Sequence, residues 1–190
     1  MIAWEWLDRP GLEVLDLAVG ADGVHAQGVV VAELEGATLR LRYRVECDAQ
    51  WRFRAAEIAL GDGDARRACV VSCTPDGEWI VHGVARPDLS GCEDIDIMAT
   101  PFTNTLPIRR LVPQSAVELR VAHVRLPGLD VRPAEQEYAP LGPGRFRYRN
   151  LDNSFAAELT VDTQGLVTRY GNIWRRFGWA EEGGCGAASS

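Results

Sequence analysis

The strongest constraint on the fold is a strict alternation of apolar and charged residues between Leu39 and Cys47. A period of two is the signature of a β-strand with one buried face, since successive side chains point to opposite sides. After the turn residues Asp48-Ala49-Gln50, a second alternating run continues from Trp51 to Leu60. The two runs therefore predict an antiparallel hairpin, with a β-bulge at Ala55-Ala56, where the alternation slips.

Similar alternation recurs along most of the chain. Further runs are found at Leu12–Val19, Val24–Leu34, Arg67–Cys73, Val117–Arg125, Arg145–Arg149, Phe155–Val161 and Leu166–Tyr170. Turn sequences separate them, and Thr74-Pro75-Asp76-Gly77 combines a residue that fixes φ with one that accepts positive φ. The pattern predicts a mainly β protein, a sandwich, barrel or rolled sheet, with one or two short helices, the best at Thr105–Leu111.

Length and charge narrow the class of protein. The 190 residues fit one domain, which we place at residues 1–180, followed by a flexible tail at 181–190 that is rich in Gly, Ala and Ser. A net charge of −7 disfavours nucleic acid and anionic membranes as partners. No run of residues is long and apolar enough for a membrane-spanning helix.

The N-terminus and the cysteines indicate the compartment. Residues 1–10 lack the basic, apolar and small-residue regions of a secretion signal, so a cytoplasmic location is expected. The five cysteines form no CxxC pair, which favours reduced thiols over a disulfide framework or a zinc site. No metal or other cofactor is expected.

The stretch from Gly91 to Leu111 carries the least generic chemistry. On a strand, Asp94 and Asp96 project to one face, where their charges repel unless donors or cations separate them. Arg109 and Arg110 offer planar donor groups that fit a carboxylate. Two interpretations stay open, one a structural ion-pair network with a self-satisfied loop, the other a recognition site for sugar hydroxyls or a phosphorylated head group. On residue types alone, the structural interpretation is the simpler one.

Charged stripes and aromatic residues are similarly ambiguous. Three rows of arginines, at 40–44, 52–54 and 145–149, predict solvated strand faces balanced by acids on adjoining strands, or a concave face for an anion. The six tryptophans favour core packing, although aromatic rings also stack on sugars.

Sequence signatures of catalysis are missing. The chain contains no GxSxG, HExxH, P-loop or GxGxxG motif. Its three histidines are far apart in sequence, so they do not form a local metal-binding motif. The acids beside Cys92 should raise the pKa of its thiol, which disfavours a role as nucleophile. Carboxylates two residues apart on one strand, as at Asp94 and Asp96, rarely flank a glycosidic bond from opposite sides.

One long segment resembles a known family. The run CEDIDIMATPFTNTLPIRRL at 92–111 resembles the hallmark of the bacterial family called "putative glycolipid-binding", formerly a domain of unknown function. Other segments agree in the same order: RPGLE at 9–13, LRYRVECDAQWRFR at 41–54, PDGEWIVHG at 75–83, EQEYAPL at 135–141 and GLVTRYGNIWRRF at 165–177. The resemblance implies an antiparallel spiral β-roll, or incomplete β-barrel, like that of envelope lipoprotein carriers. It implies little about reaction chemistry, because fold transfers function poorly.

Together these observations predict a ligand-binding protein rather than an enzyme. It would hold the apolar part of a glycolipid-like ligand in a half-open roll, with a polar mouth that fixes the head group. The residues expected at this mouth are Asp94, Asp96, Thr103, Asn104, Arg109 and Arg110, with Arg54 and Tyr138 as additions. Two alternatives stay open: a hydrolase or isomerase acting through Asp94 and Asp96, and a module that binds a protein strand at an open sheet edge. The sequence leaves open whether the protein is a monomer or a homodimer.

Overall fold

A computed structural model describes residues 1–61, 66–111 and 115–177 of the chain. The predicted tail at 181–190 lies outside these residues. The described part forms a single sheet of fifteen strands with one short α-helix. The strands are β1 Ile2–Trp6, β2 Gly11–Gly20, β3 Gly23–Leu34, β4 Ala37–Cys47, β5 Phe53–Leu60, β6 Arg67–Cys73, β7 Trp79–Val81, β8 Val84–Ala85, β9 Asp94–Ile97, β10 Val117–Arg125, β11 Asp130–Gly142, β12 Arg145–Asn150, β13 Ala156–Val161, β14 Val167–Tyr170 and β15 Trp174–Phe177.

The strands follow one another around the sheet in nearly their chain order. From β1 to β8 each strand pairs with the next, and from β15 back to β9 the same holds on the other side. The two halves meet where β1 pairs with β15, antiparallel, with Trp6 opposite Trp174. The end strands β8 and β9 do not pair, so the sheet is an open roll. This architecture confirms the predicted fold class.

The clearest sequence prediction is confirmed in detail. β4 and β5 form the expected hairpin, and the buried faces alternate along both strands. Glu46 is opposite Ala55 and Cys47 is opposite Phe53, which leaves Arg54 as the extra residue of a bulge. The bulge therefore lies just before the predicted position.

The interior of the roll is filled by the chain itself. Every residue from Ala99 to Ile108 is buried, including the helix α1, Thr105–Leu111, as far as Ile108. Phe102 and Leu106 are completely inaccessible and belong to the main hydrophobic cluster, together with inward-facing residues of β3, β4 and β5. The helix has only seven residues, too few to be stable alone, so packing inside the sheet stabilises it.

Candidate functional site

A cavity of about 340 Å³ opens between the filled interior and the strands around the β1–β15 seam. Its walls come from β1, β9, β10, β12, β14 and β15, with the turn after β1 and the segments after β9 and β12. The lining mixes rings with carboxylate, amide, hydroxyl and imidazole groups. Such a mixture of apolar walls and few polar groups is typical of ligand sites.

The apolar walls of the cavity are aromatic. Trp6 and Trp174 stack with ring centroids 4.4 Å apart. Tyr148, Phe155 and Tyr170 pack edge to face with centroid separations of 5.8–6.2 Å. Aromatic pairs in these geometries are favourable beyond the area they bury, so these contacts stabilise the positions of the rings.

Asp96 is the predicted acid that reaches the cavity. Its Oδ2 accepts a hydrogen bond from the Gln136 side-chain amide at 2.6 Å, and its Oδ1 accepts one from the Thr103 hydroxyl at 3.2 Å. Each carboxylate oxygen can accept a second hydrogen bond. Asp96 is thus held in one orientation while keeping capacity for a ligand donor.

Asn104 is tied to the same network from the other side. The Tyr138 hydroxyl donates to Asn104 Oδ1 at 2.9 Å and lies 3.4 Å from Gln136 Oε1, while Asn104 Nδ2 donates to the Pro101 carbonyl. Thr103, Asn104 and Gln136 are all buried, so the network is shielded from bulk water. Buried networks of this kind specify one arrangement of their members.

Below the cavity lies a buried acid that the sequence interpretation missed. Glu13 is completely inaccessible, and its Oε1 accepts hydrogen bonds from the Thr100 hydroxyl at 2.7 Å and from the Tyr43 hydroxyl. Its Oε2 has no hydrogen-bond partner among the described residues. Burial raises the pKa of Glu13 to about 8, against the opposing effect of the two hydroxyl donors.

The sequence did contain a signal for Glu13. It shares the inward face of the alternating β2 run with Leu15, and it lies within the segment RPGLE. The structure also explains Gly28, because a Cβ there would lie 2.2 Å from ring atoms of Tyr43. Glycine at 28 therefore leaves the room in which Tyr43 reaches Glu13.

Asp94 and Arg110 form a pair of their own. The guanidinium donates to Oδ1 at 2.5 Å and to Oδ2 at 2.7 Å, and Asp94 is only 1% exposed. Burial raises the pKa of the Asp94 carboxyl, and the contact with Arg110 opposes that rise. Neither residue lines the cavity. The pair instead links α1, which carries Arg110, to β9, which carries Asp94.

Arg109 and Arg54 also point elsewhere. The Arg109 guanidinium lies over the Trp51 ring, 4.4 Å from its centroid, donates to the Gln164 carbonyl, and borders a separate shallow depression. Arg54 pairs with Asp48 at 2.7 Å. Of the eight residues predicted for the site, Asp96 and Asn104 line the cavity, and Thr103 and Tyr138 lie behind them, hydrogen-bonded to Asp96 and Asn104 respectively. The structure places Asp94, Arg110, Arg109 and Arg54 outside the cavity lining.

Two other features of the sequence, the arginine row at 145–149 and Cys92, can be compared with their surroundings in the structure. Arg147 and Arg149 lie 3.4 and 3.6 Å from Glu137, and Arg145 pairs with Glu158 at 2.8 Å, as expected for acids on adjoining strands. Burial raises the pKa of Cys92 to about 11. The direction matches the expectation, but burial is the largest cause, and the acids that add to it are Glu135 and Asp88 rather than the sequence neighbours Glu93 and Asp94.

Two further findings concern metals and membranes. Within the described residues no group of three or more His, Cys, Asp or Glu side chains is placed to hold a metal ion. None of the described helices has the length and apolar character needed to cross a bilayer.

Fold and site together define an open, all-β roll with a small polar and aromatic cavity beside a filled interior. The chain belongs to the family described as putative glycolipid-binding, whose model matches residues 1–176. A crystal structure of a DUF1089 family protein from Pseudomonas aeruginosa is similar, with a TM-score of 0.76 and 34% sequence identity, over 87% of this chain and 92% of that one. None of the curated proteins matches the chain.

Proposed function

We propose that the protein binds the sugar head group of an amphiphilic ligand in the cavity bordered by Asp96. The observation that carries the proposal is the presence, in one cavity, of fixed acceptors for hydroxyl groups and of aromatic rings. Asp96 supplies acceptor oxygens, and the Trp6–Trp174 and Tyr148–Tyr170 pairs supply ring surfaces. The family description points to the same class of ligand.

The size of the cavity limits what enters it. About 340 Å³ is near the lower end of the 300–1,000 Å³ typical of small-molecule sites, enough for one head group but not for acyl chains. The sequence interpretation expected the apolar part inside the roll, but residues 99–108 fill that space. We therefore assign the apolar part to the rim, where Met98 and Phe155 are 47% and 39% exposed.

Binding fits the geometry better than acid–base catalysis by the two aspartates. Both carboxylate oxygens of Asp94 are hydrogen-bonded to Arg110, and Asp94 does not border the cavity. It therefore cannot act on a molecule held beside Asp96. A glycosidase needs two carboxyl groups that flank the same bond. Strand addition is also less favoured, because one end strand has two residues and the other four.

The test is calorimetric titration with hexyl β-glucoside and methyl β-glucoside. We expect the hexyl compound to bind more tightly, since each buried methylene contributes about 0.8 kcal/mol. Asp96→Asn should weaken both affinities about tenfold, because a charge-assisted hydrogen bond to the sugar is lost.

The matched control is Asp22→Asn, which removes the same charge from an exposed turn residue outside the cavity. Wild-type affinity in this control, with weakened binding in Asp96→Asn, supports the site. Absence of binding by any glycoside, or equal affinities in the two variants, would overturn the proposal.

A further inference from the structure

We propose that the head group bound in this cavity carries a positive charge, as a primary or quaternary ammonium group. The inference rests on the proposed function and names the chemical class of its ligand. It follows from the charge balance around Asp96 and from the aromatic rings that surround the same space.

Among the described residues, the carboxylate of Asp96 has no cationic partner. None of the ion pairs formed by the described residues includes Asp96, although His123 lies beside it in register on β10. Two hydrogen bonds from neutral groups hold the carboxylate but do not neutralise it. A partly buried, unpaired carboxylate favours a ligand that brings the missing cation.

The two arginines near the cavity are already engaged, and His123 is the other basic residue of the lining. Arg110 forms a bidentate salt bridge with Asp94. Arg9, which does line the cavity, is paired with Asp8 at 3.1 Å. The paired Asp8 and Arg9 cancel each other, so Asp96 sets the sign of the local field, and that field disfavours phosphate or carboxylate head groups.

The aromatic walls fit a cation. Five of the lining residues are aromatic, and cations are attracted to ring faces within about 6 Å of the centroid. The Arg9 guanidinium lies 4.7 Å from the centroid of Trp6, so this ring already holds a cation of the protein, and a ligand cation is assigned to the other aromatic residues of the lining. The negative charge of Asp96 also acts on a tyrosine of the cavity wall. The pKa of Tyr148 is raised, mainly by burial and in addition by this charge.

Two kinds of natural head group share this chemistry: an amino sugar and a choline-type group. Methyl β-glucosaminide is compared with methyl β-glucoside and with its neutral N-acetyl derivative. Choline is compared with 3,3-dimethylbutan-1-ol, a neutral molecule of the same shape. We expect the charged member of at least one series to bind about tenfold more tightly, since a desolvated cation–π contact combined with a carboxylate is worth that much.

The variants isolate the cause of the preference. Asp96→Asn should abolish the preference for the charged member, whereas Asp22→Asn should retain it. A preference for the amino sugar alone identifies that source, and a preference for choline alone identifies the other. Equal affinity for glucoside and glucosaminide, with no binding of choline, overturns this inference but leaves sugar binding intact. Absence of binding in every series overturns both.

Discussion

Glu13 shows how one residue links the core to the cavity. Its carboxyl is fully buried, yet it touches the Thr100 hydroxyl that borders the cavity. Thr100 donates its proton to Glu13, which fixes the orientation of the hydroxyl group. The backbone N–H of Phe102 donates to the oxygen of that hydroxyl at 3.0 Å, which fixes its position. Glu13 is therefore a positioning residue rather than a ligand contact.

Glu13 should make the stability of the protein fall as pH rises through neutrality. Its pKa is about 8 in the folded protein and 4.5 ordinarily, so between these values only the folded state binds the proton. The free energy of unfolding then decreases with pH, by up to about 1.4 kcal/mol per unit. Between pH 5.5 and 7.5 we expect wild type to lose on the order of 2 kcal/mol more than Glu13→Gln. Urea denaturation at both pH values measures this, and equal losses in the two proteins would show that Glu13 is ionised throughout.

At the scale of elements, alternation predicts strands whose two faces differ and misses strands buried on both faces. β4 has one buried and one exposed face, and its bounds nearly match the predicted ones. β11 has thirteen residues but was not predicted, because Gln136, Glu137, Tyr138 and Ala139 are all buried in succession. Pro133 and Pro140 also argue against a strand in the sequence, because proline is rare inside sheets. In the structure, the pairing of β11 with β12 shifts register at Pro140.

The junction between α1 and β9 depends on the pair of Asp94 and Arg110. Arg110→Met should destabilise the fold by about 3 kcal/mol, since it leaves the buried charge of Asp94 without its partner. Asp94→Asn should cost less, because Arg110 keeps Glu93 at 3.6 Å. The double variant should cost clearly less than the sum, because the second change removes the charge stranded by the first. Urea denaturation of the four proteins gives the coupling energy. Asp88→Asn, which disrupts a more exposed pair with Arg86, is the control and should cost much less, because solvent screens that pair. Strictly additive costs would show that the two residues are not coupled.

At the scale of the molecule, the site is assembled from opposite ends of the chain. Asp96 and Asn104 come from the one segment whose composition marked it as a site. Trp6, Tyr148 and Trp174 reach the cavity only because β1 pairs with β15 and the second half of the sheet folds back along the chain. Local patterns cannot predict such a pairing, since its partners are more than 160 residues apart. Two of the eight predicted residues therefore line the cavity and two more hydrogen-bond to them, while the aromatic walls could not be predicted.

The open ends of the sheet are joined by side chains rather than by strand pairing. Arg86, directly after β8, donates to the Val131 carbonyl at 2.9 Å, and the Trp79 indole donates to the Cys92 carbonyl at 3.1 Å. Arg120 reaches across to the Asp88 carbonyl at 3.1 Å. These contacts tie the β8 end to the half of the sheet that carries β9.

Arg86→Ala should therefore loosen one end of the roll without unfolding the rest. Losing one hydrogen bond to a carbonyl costs about 1–1.5 kcal/mol, so the amides of β7 and β8 should exchange with deuterium about tenfold faster. Amides of β3 and β4 lie far from the opening and should keep their wild-type rates, because their exchange follows a larger unfolding event.

Arg145→Ala, which removes an exposed pair with Glu158 on interior strands of the sheet, serves as the control and should leave β7 and β8 protected. Hydrogen exchange read by mass spectrometry separates the outcomes. Faster exchange throughout the sheet would mean that the roll opens as one cooperative unit, and unchanged exchange would mean that Arg86 does not hold its end.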